Sequence, residues 1–294
     1  MGQGRGLDDT GPRSHASFLI CITLLCVLLA GASLITGGPR SIGGGCVRTR
    51  QPESPSAAGG CVDSGGDREQ AGAGAVVSRA AVEGLVGPVT AAQWSELGVF
   101  LELLRESARR LSLISRGAER ELGVHLADSA ALLSLGLGLE PGTGVGKVEL
   151  ADLGTGAGLP GAVVAILRPD VRVTLIDSRN SRVVFLKQVK RRLGLENVEI
   201  LHERLEALAG RRAFGLAVSR ALGSLETTFA ASLRLLGPGG RLVLYKGPRW
   251  VEEEDRARVI AESCGCEQGW VRKVDLPGCE RTTWFVEFHV KQTE

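Results

Sequence analysis

Residues Asp152 to Gly161 read Asp-Leu-Gly-Thr-Gly-Ala-Gly-Leu-Pro-Gly, DLGTGAGLPG, and join a short apolar run at Val148 to Leu153 to a helical stretch near 160–168. A glycine-dense turn from strand into helix lets the backbone approach a ligand, because glycine accepts conformations and distances that a Cβ forbids. Pro160 suits a first helical turn, where its missing N–H is no loss. In an open α/β sheet, such a turn lines the crevice where the strand order reverses.

Outward from this turn, short apolar runs alternate with helical stretches. Val171 to Ile176, Val198 to Leu201, Leu216 to Ser219 and Arg241 to Tyr245 are predicted strands, and 180–193, 225–236 and 252–263 are predicted helices. Alternation of this kind predicts a parallel sheet covered on both faces. Gly194 and the Gly237-Pro238-Gly239-Gly240 run stand where helices should end. Trp270 to Leu276 and Thr282 to Val290 alternate like two paired strands closing one edge. Upstream, Trp94, Leu97, Phe100, Leu101, Leu104, Ala108 and Leu111 recur at helical spacing, and a second helix is predicted from about Glu119 to Leu135. The expected domains are a front extension at 1–75, a helical N-terminal cap at 76–146 and an α/β domain at 147–294.

The strand after the loop ends in Asp177, 25 positions beyond Asp152, where a carboxylate can accept both hydroxyls of a ribose. Two ligand classes fit this spacing. Gly156-x-Gly158-x-x-Gly161 matches a dinucleotide fingerprint, and Asp152-x-Gly154-x-Gly156-x-Gly158 matches the first motif of S-adenosylmethionine methyltransferases. The acidic residue two places before the first glycine favours the second class, since it can sit near the ammonium end of the methionine moiety. The edge hairpin favours it too.

With DLGTGAGLPG, TLIDS at 174–178, RVVFL at 182–186, ENVEILHERLE at 196–206, VSRALGSLE at 218–226 and PGGRLVLYKG at 238–247, the chain resembles the RsmG (GidB) family of bacterial 16S ribosomal RNA methyltransferases from about Val82 to the C-terminus. The resemblance implies a class I S-adenosylmethionine-dependent methyltransferase fold: a Rossmann-like α/β sheet with a helical N-terminal cap and a C-terminal antiparallel edge hairpin. It implies methyl transfer from S-adenosylmethionine to N7 of a guanine in 16S rRNA, naked or in the small subunit. By the same resemblance, Gly154, Leu159, Asp177, Leu205, Glu206 and Arg220 contact the cofactor. Guanine N7 is an unprotonated acceptor, so no residue is assigned as acid or base, and Arg220 is at most a positioning group. Lys246, ending the fifth strand, is read as an RNA contact or a plain surface lysine. The family's usual W-N-x-x-x-N-L-T element is replaced by Glu106 to Leu113, and Val124 stands where an Arg usually precedes His125.

His125 and Asp128 fall at i and i+3 of a helix, and a capping or packing role is expected for them. Arg105, Arg109, Arg110, Arg116 and Arg120, and then Arg179, Arg182, Lys187, Lys190, Arg191 and Arg192, form clusters suited to phosphates. With aromatics at only 4%, recognition of folded RNA by shape is expected over reading of loose strands.

The 294 residues carry 35 Lys and Arg against 33 Asp and Glu, which excludes a uniformly basic nucleic-acid binder and leaves local patches. Of the seven Cys, only Cys264, Cys266 and Cys279 lie beyond residue 75, which fits a reducing compartment; no four-ligand zinc spacing occurs, and no metal is expected. Residues 1–75 hold 16 of the 41 Gly and no Lys. Ala16 to Ile35 is uncharged and long enough for a membrane span, and it also reads as a secretory signal ending near Ala30-Gly31-Ala32. Residues 37–75 read as linker or disorder. A start set too early, with the organised chain beginning near Val76 to Val82, is the third reading. The expected protein is a cytoplasmic monomer with no stable membrane partner. The rivals are an NAD-dependent oxidoreductase and a membrane-anchored, non-catalytic binding module.

Overall fold

The computed structural model describes residues 77–111, 113–139, 149–220 and 223–291. The apolar run at 16–35 and the Gly-rich stretch after it lie outside these residues. Among the described residues no helix is long and apolar enough to cross a membrane.

The described chain begins with helices α1 (Arg79–Val86), α2 (Ala91–Leu111), α3 (Arg116–Arg120) and α4 (Leu122–Ala130), followed by a 3-10 turn at Ala131–Ser134. It continues as β1 (Glu149–Leu153), α5 (Gly161–Leu167), β2 (Arg172–Asp177), α6 (Asn180–Leu193), β3 (Val198–His202), α7 (Leu205–Leu208) and β4 (Phe214–Arg220). A π-helical turn at Leu225–Phe229 leads into α8 (Ala230–Leu233), then β5 (Leu236–Lys246), α9 (Trp250–Ser263), β6 (Cys266–Asp275) and β7 (Thr282–Val290).

The seven strands lie in the order β3-β2-β1-β4-β5-β7-β6. Strands β1 to β5 are parallel, β7 runs antiparallel to β5, and β6 pairs with β7 at the open edge. This is the class I methyltransferase architecture, with its strand order reversing between β1 and β4. Parallel strands put all their C-terminal ends on one edge of the sheet. Leu153, Asp177, His202, Arg220 and Lys246 therefore end there, and Thr282 begins β7 at the same edge.

Successive strand residues point to opposite faces, and the two faces have separate cores. Leu150, Val173, Leu175, Val218 and Val243 join Val82, Leu97, Phe100 and Leu126 of the cap in one cluster. Ala151, Leu153, Ile176, Ala217 and Leu244 join Phe229 and Trp250 in the other. The helical spacing read in 91–111 is α2, which buries Leu97, Phe100, Leu104 and Ala108. Gln93 Nε2 in its first turn donates to the carbonyls of Ile166 and Leu167, fastening the cap to the end of α5.

Three local expectations change. The helix expected from Glu119 to Leu135 is broken at Glu121, whose backbone leaves helical geometry (φ −113°, ψ 24°), and it finishes as a 3-10 turn. The Gly237–Gly240 run lies within β5, as an irregularity where the register shifts from Phe214↔Leu236 to Leu216↔Arg241. Pro160 stands just before α5, because the helix's first turn begins at Gly161.

Candidate functional site

The loop after β1 is held from below. Asp152 is fully buried, and its Oδ2 accepts hydrogen bonds from Thr155 Oγ1 (2.6 Å) and the Gly161 amide (2.8 Å). Burial outweighs these bonds and raises its pKa from the ordinary carboxylate value to about 6. The Asp152 side chain is sealed beneath the turn and pins it. A Cβ on Gly161 would sit 2.3 Å from Leu175 Cδ2 and 2.8 Å from Asp152 Oδ2, so helix and strand approach at that point only through glycine. Gly154 is different. It is exposed, has φ +71°, and faces open space with no atom within 4 Å of a Cβ built there. One glycine closes the structure and the other leaves room for a ligand.

Asp177 ends β2 beside this loop. Its Oδ2 accepts from the Gly156 amide (3.0 Å) and from Arg182 Nη1 (3.0 Å), and its Oδ1 accepts from the Arg179 amide (2.9 Å). The carboxylate is buried, while Arg182 is partly exposed. Leu205 and Glu206 open α7, three residues past β3; Leu205 is buried and Glu206 exposed. Leu159 is buried within the loop, so only its backbone is offered to a ligand. The structure therefore brings Gly154, Asp177, the Leu205–Glu206 turn and Arg220 to one sheet edge. A glycine loop with open space above it, a strand-end carboxylate and an apolar-acidic turn fit an adenosyl cofactor.

Beyond β4 lies an open cleft of about 730 Å³, lined by His125, Asp128, Arg220, Lys246, Arg281 and Thr283 among others. Ser219 Oγ donates to the Leu153 carbonyl (2.6 Å), tying the ends of β4 and β1 and fixing the backbone from which Arg220 projects. Arg220 Nη1 donates to Asp128 Oδ2 (3.0 Å), and Nη2 lies 3.1 Å from His125 Nδ1. Thr283 Oγ1 donates to the other oxygen of Asp128. Burial, then Arg220 and Arg281, hold the His125 pKa down to about 4, so its imidazole is neutral and accepts from the arginine. Burial raises Asp128 above its ordinary value against the opposing pull of Arg220.

Capping does not describe this pair. Asp128 is in the last turn of α4, where a carboxylate faces the wrong end of the helix dipole, and both side chains are spent on a residue more than ninety positions away. Sequence reasoning also missed Thr155, Ser219 and Thr283, and it read Arg182 only as a phosphate contact, whereas its guanidinium lies on Asp177. Of these, only Thr155, three places after Asp152, carries a local signal, that of a side-chain-closed turn.

Tyr245, the only Tyr in the chain, is buried with its hydroxyl on the Ser129 carbonyl (3.4 Å), and burial raises its pKa well above normal. It packs edge-on against Phe285. Lys246 is engaged by Glu253 (2.6 Å) and lies over the Trp250 ring. Arg105, Arg110, Arg120, Arg179, Lys187, Arg191 and Arg192 are exposed, whereas the side chains of Arg109 and Arg116 lie outside the described set.

The family model described as GidB, rRNA small subunit methyltransferase G, matches residues 93–279. The chain belongs to this family. Three similar proteins carry the name Ribosomal RNA small subunit methyltransferase G. One from Nocardioides sp. is 45% identical over 120 residues, covering 41% of this chain and 48% of the relative, about half its length. One from Geobacter metallireducens is 35% identical over 193 residues, 64% of this chain and 84% of the relative. One from Pelotomaculum thermopropionicum is 36% identical over 194 residues, 64% and 79% respectively. The matched region of this GidB-family chain spans both the cap residues around His125 and the β1 loop, so it covers both sides of the site. It is an S-adenosylmethionine-dependent methyltransferase family, and the dinucleotide reading of Gly156 to Gly161 gives way to it.

Proposed function

We propose that this chain methylates N7 of a guanine in 16S rRNA, acting as a cytoplasmic monomer on folded RNA or the assembled small subunit. The observation that carries the reading is a juxtaposition. The open glycine loop at the end of β1 and the Arg220 cleft at the ends of β4 and β5 share one sheet edge. Methyl donor and acceptor can therefore meet across β1 and β4.

Gly154 and the Leu159 backbone would hold the cofactor along the loop, Asp177 its ribose hydroxyls, and Leu205–Glu206 its adenine. S-adenosylmethionine supplies, when bound, a methyl group on a sulfonium that departs as a neutral thioether. The remaining contribution is the protein's own. Guanine N7 has a free lone pair at neutral pH, so the site needs no general base; it needs alignment and exclusion of the wrong orientation. Arg220 is the group placed to orient the base, because its guanidinium lies in the cleft and can donate to O6 of guanine, an acceptor beside N7.

Exposed Arg105 and Arg110 on α2 and Lys187, Arg191 and Arg192 on the adjacent α6 supply a phosphate-facing surface. Incubation of the full chain with methyl-labelled S-adenosylmethionine and 16S rRNA, free or in subunits, tests the reading through nucleoside analysis. Label in 7-methylguanosine supports it, and label in another nucleoside or in none refutes it.

A further inference from the structure

We infer that His125 and Asp128 are positioning residues for methyl transfer: from the N-terminal cap, they fix the Arg220 guanidinium in the cleft that receives the target guanine. The inference rests on the acceptor reading given above and extends it to residues of a different structural layer.

Arg220 projects from the end of β4, whose register with β5 runs on to its last residue and whose Ser219 is tied by its hydroxyl to the Leu153 carbonyl at the end of β1. Its side chain is nonetheless long, and an arginine at a strand end ordinarily samples several rotamers. Two of its five N–H donors are taken, one by Asp128 and one by His125, both on the same face of α4 at i and i+3. No other described residue takes the remaining donors, which are left for a ligand in the cleft. Asp128 is in turn oriented by Thr283 at the start of β7. The guanidinium is thus clamped between three elements: the strand that carries it, the cap helix and the edge hairpin.

The charge balance agrees with this arrangement. The groups facing His125 are Arg220, Arg281 and Glu121, and those facing Asp128 are Arg220, Arg281 and Thr283. Two arginines and burial keep the imidazole neutral, as an acceptor of an arginine N–H must be. The carboxylate of Asp128 offsets the guanidinium charge next to a base that becomes cationic once methylated at N7. A clamped arginine with a compensating anion behind it can orient guanine without leaving a net positive charge beside the product.

The test is a double-mutant cycle on the full chain, reading kcat and the KM for each substrate with labelled S-adenosylmethionine and small subunits. Asp128→Asn is expected to lower kcat on the order of ten- to a hundred-fold, with the KM for S-adenosylmethionine within about two-fold of wild type. In an Arg220→Lys background, the same change should have little further effect, because the clamped group is gone. His125→Ala should lower kcat, and His125→Asn should restore much of it by returning an acceptor near the Nδ1 position. Thermal melts identify any variant that fails to fold, and the His125 pair then decides the question without Asp128. Should Asp128→Asn act at full strength in both backgrounds, or should His125→Asn be no better than His125→Ala, the positioning role is overturned while the methyltransferase reading stands. Should the wild-type chain label no ribosomal RNA, that reading falls and this inference falls with it.

Discussion

The buried carboxylate of Asp152, at the end of β1, accepts the amide hydrogen of Gly161 at 2.8 Å, so the two ends of the ligand loop are joined by one side chain. Its other oxygen is buried without a partner among the described residues. Holding an ionised carboxylate there is unfavourable, which is why its pKa lies near 6 instead of 3.8.

A pH dependence of stability follows. A carboxylate whose folded pKa is raised contributes stability while protonated, fully below the unfolded value, and loses it as pH rises through about 6. The shift corresponds to at most about 3 kcal/mol between pH 4 and pH 8. Asp152→Asn should remove this dependence and leave the protein at least as stable as wild type at pH 8. Denaturant titrations at both pH values check it; a parallel pH response in the two proteins contradicts it.

His125 gives the opposite sign. Its folded pKa is depressed to about 4, so its contribution is intact above about 6.5 and is lost as pH falls toward 4. Because the ring is only partly shielded, about 1–2 kcal/mol is expected after allowance for solvent screening. The His125→Asn protein should lack that acid-side loss when its melting is compared with wild type between pH 7 and pH 4.5.

The two glycines of the loop should separate stability from binding. At Gly161 an added Cβ meets Leu175 and Asp152, so Gly161→Ala is expected to cost about 1–3 kcal/mol, a fall of several degrees in Tm. At Gly154 the space is open but φ is +71°, so Gly154→Ala carries backbone strain of about 1–2 kcal/mol and puts a methyl on the ligand side of the loop. Calorimetry should show weakened S-adenosylmethionine binding for Gly154→Ala. An unchanged affinity removes Gly154 from the cofactor site.

For Asp177 the expected loss is in the same measurement. Asp177→Ala removes the acceptor proposed for the ribose and should weaken S-adenosylmethionine about ten-fold or more. It also strands the amides of Gly156 and Arg179, so some loss of Tm accompanies it. A lower Tm with unaltered affinity would make Asp177 a purely structural anchor.

The sheet was legible because its signals are local. Short apolar runs, the glycine turn and the alternation at 282–290 give the strands, their parallel pairing and the edge hairpin, although β5 and β6 begin four to five residues earlier than the apolar runs suggest. What joins distant segments was not legible. Nothing around His125 or Asp128 points to Arg220, since their pairing depends on where the cap packs against the sheet, and helical spacing alone fits a packing role equally well. The same is true of Ser219, whose hydroxyl reaches a carbonyl on the neighbouring strand. The motif marks Asp152, but its bonds to Thr155 and Gly161 depend on which side of the turn is buried, which sequence does not show. The broken helix at Glu121 escaped because its residues have no Pro or Gly at the break.

The central claim is methyl transfer to guanine N7, and it is tested most directly by position. Small subunits from cells lacking this activity are incubated with the full chain and S-adenosylmethionine, and 7-methylguanine is mapped in the 16S rRNA by base-labile strand scission. A single new scission site that requires both chain and cofactor is the expected result. Transfer of label without scission, placing the methyl on another atom, would contradict the account even if the cofactor site is correct.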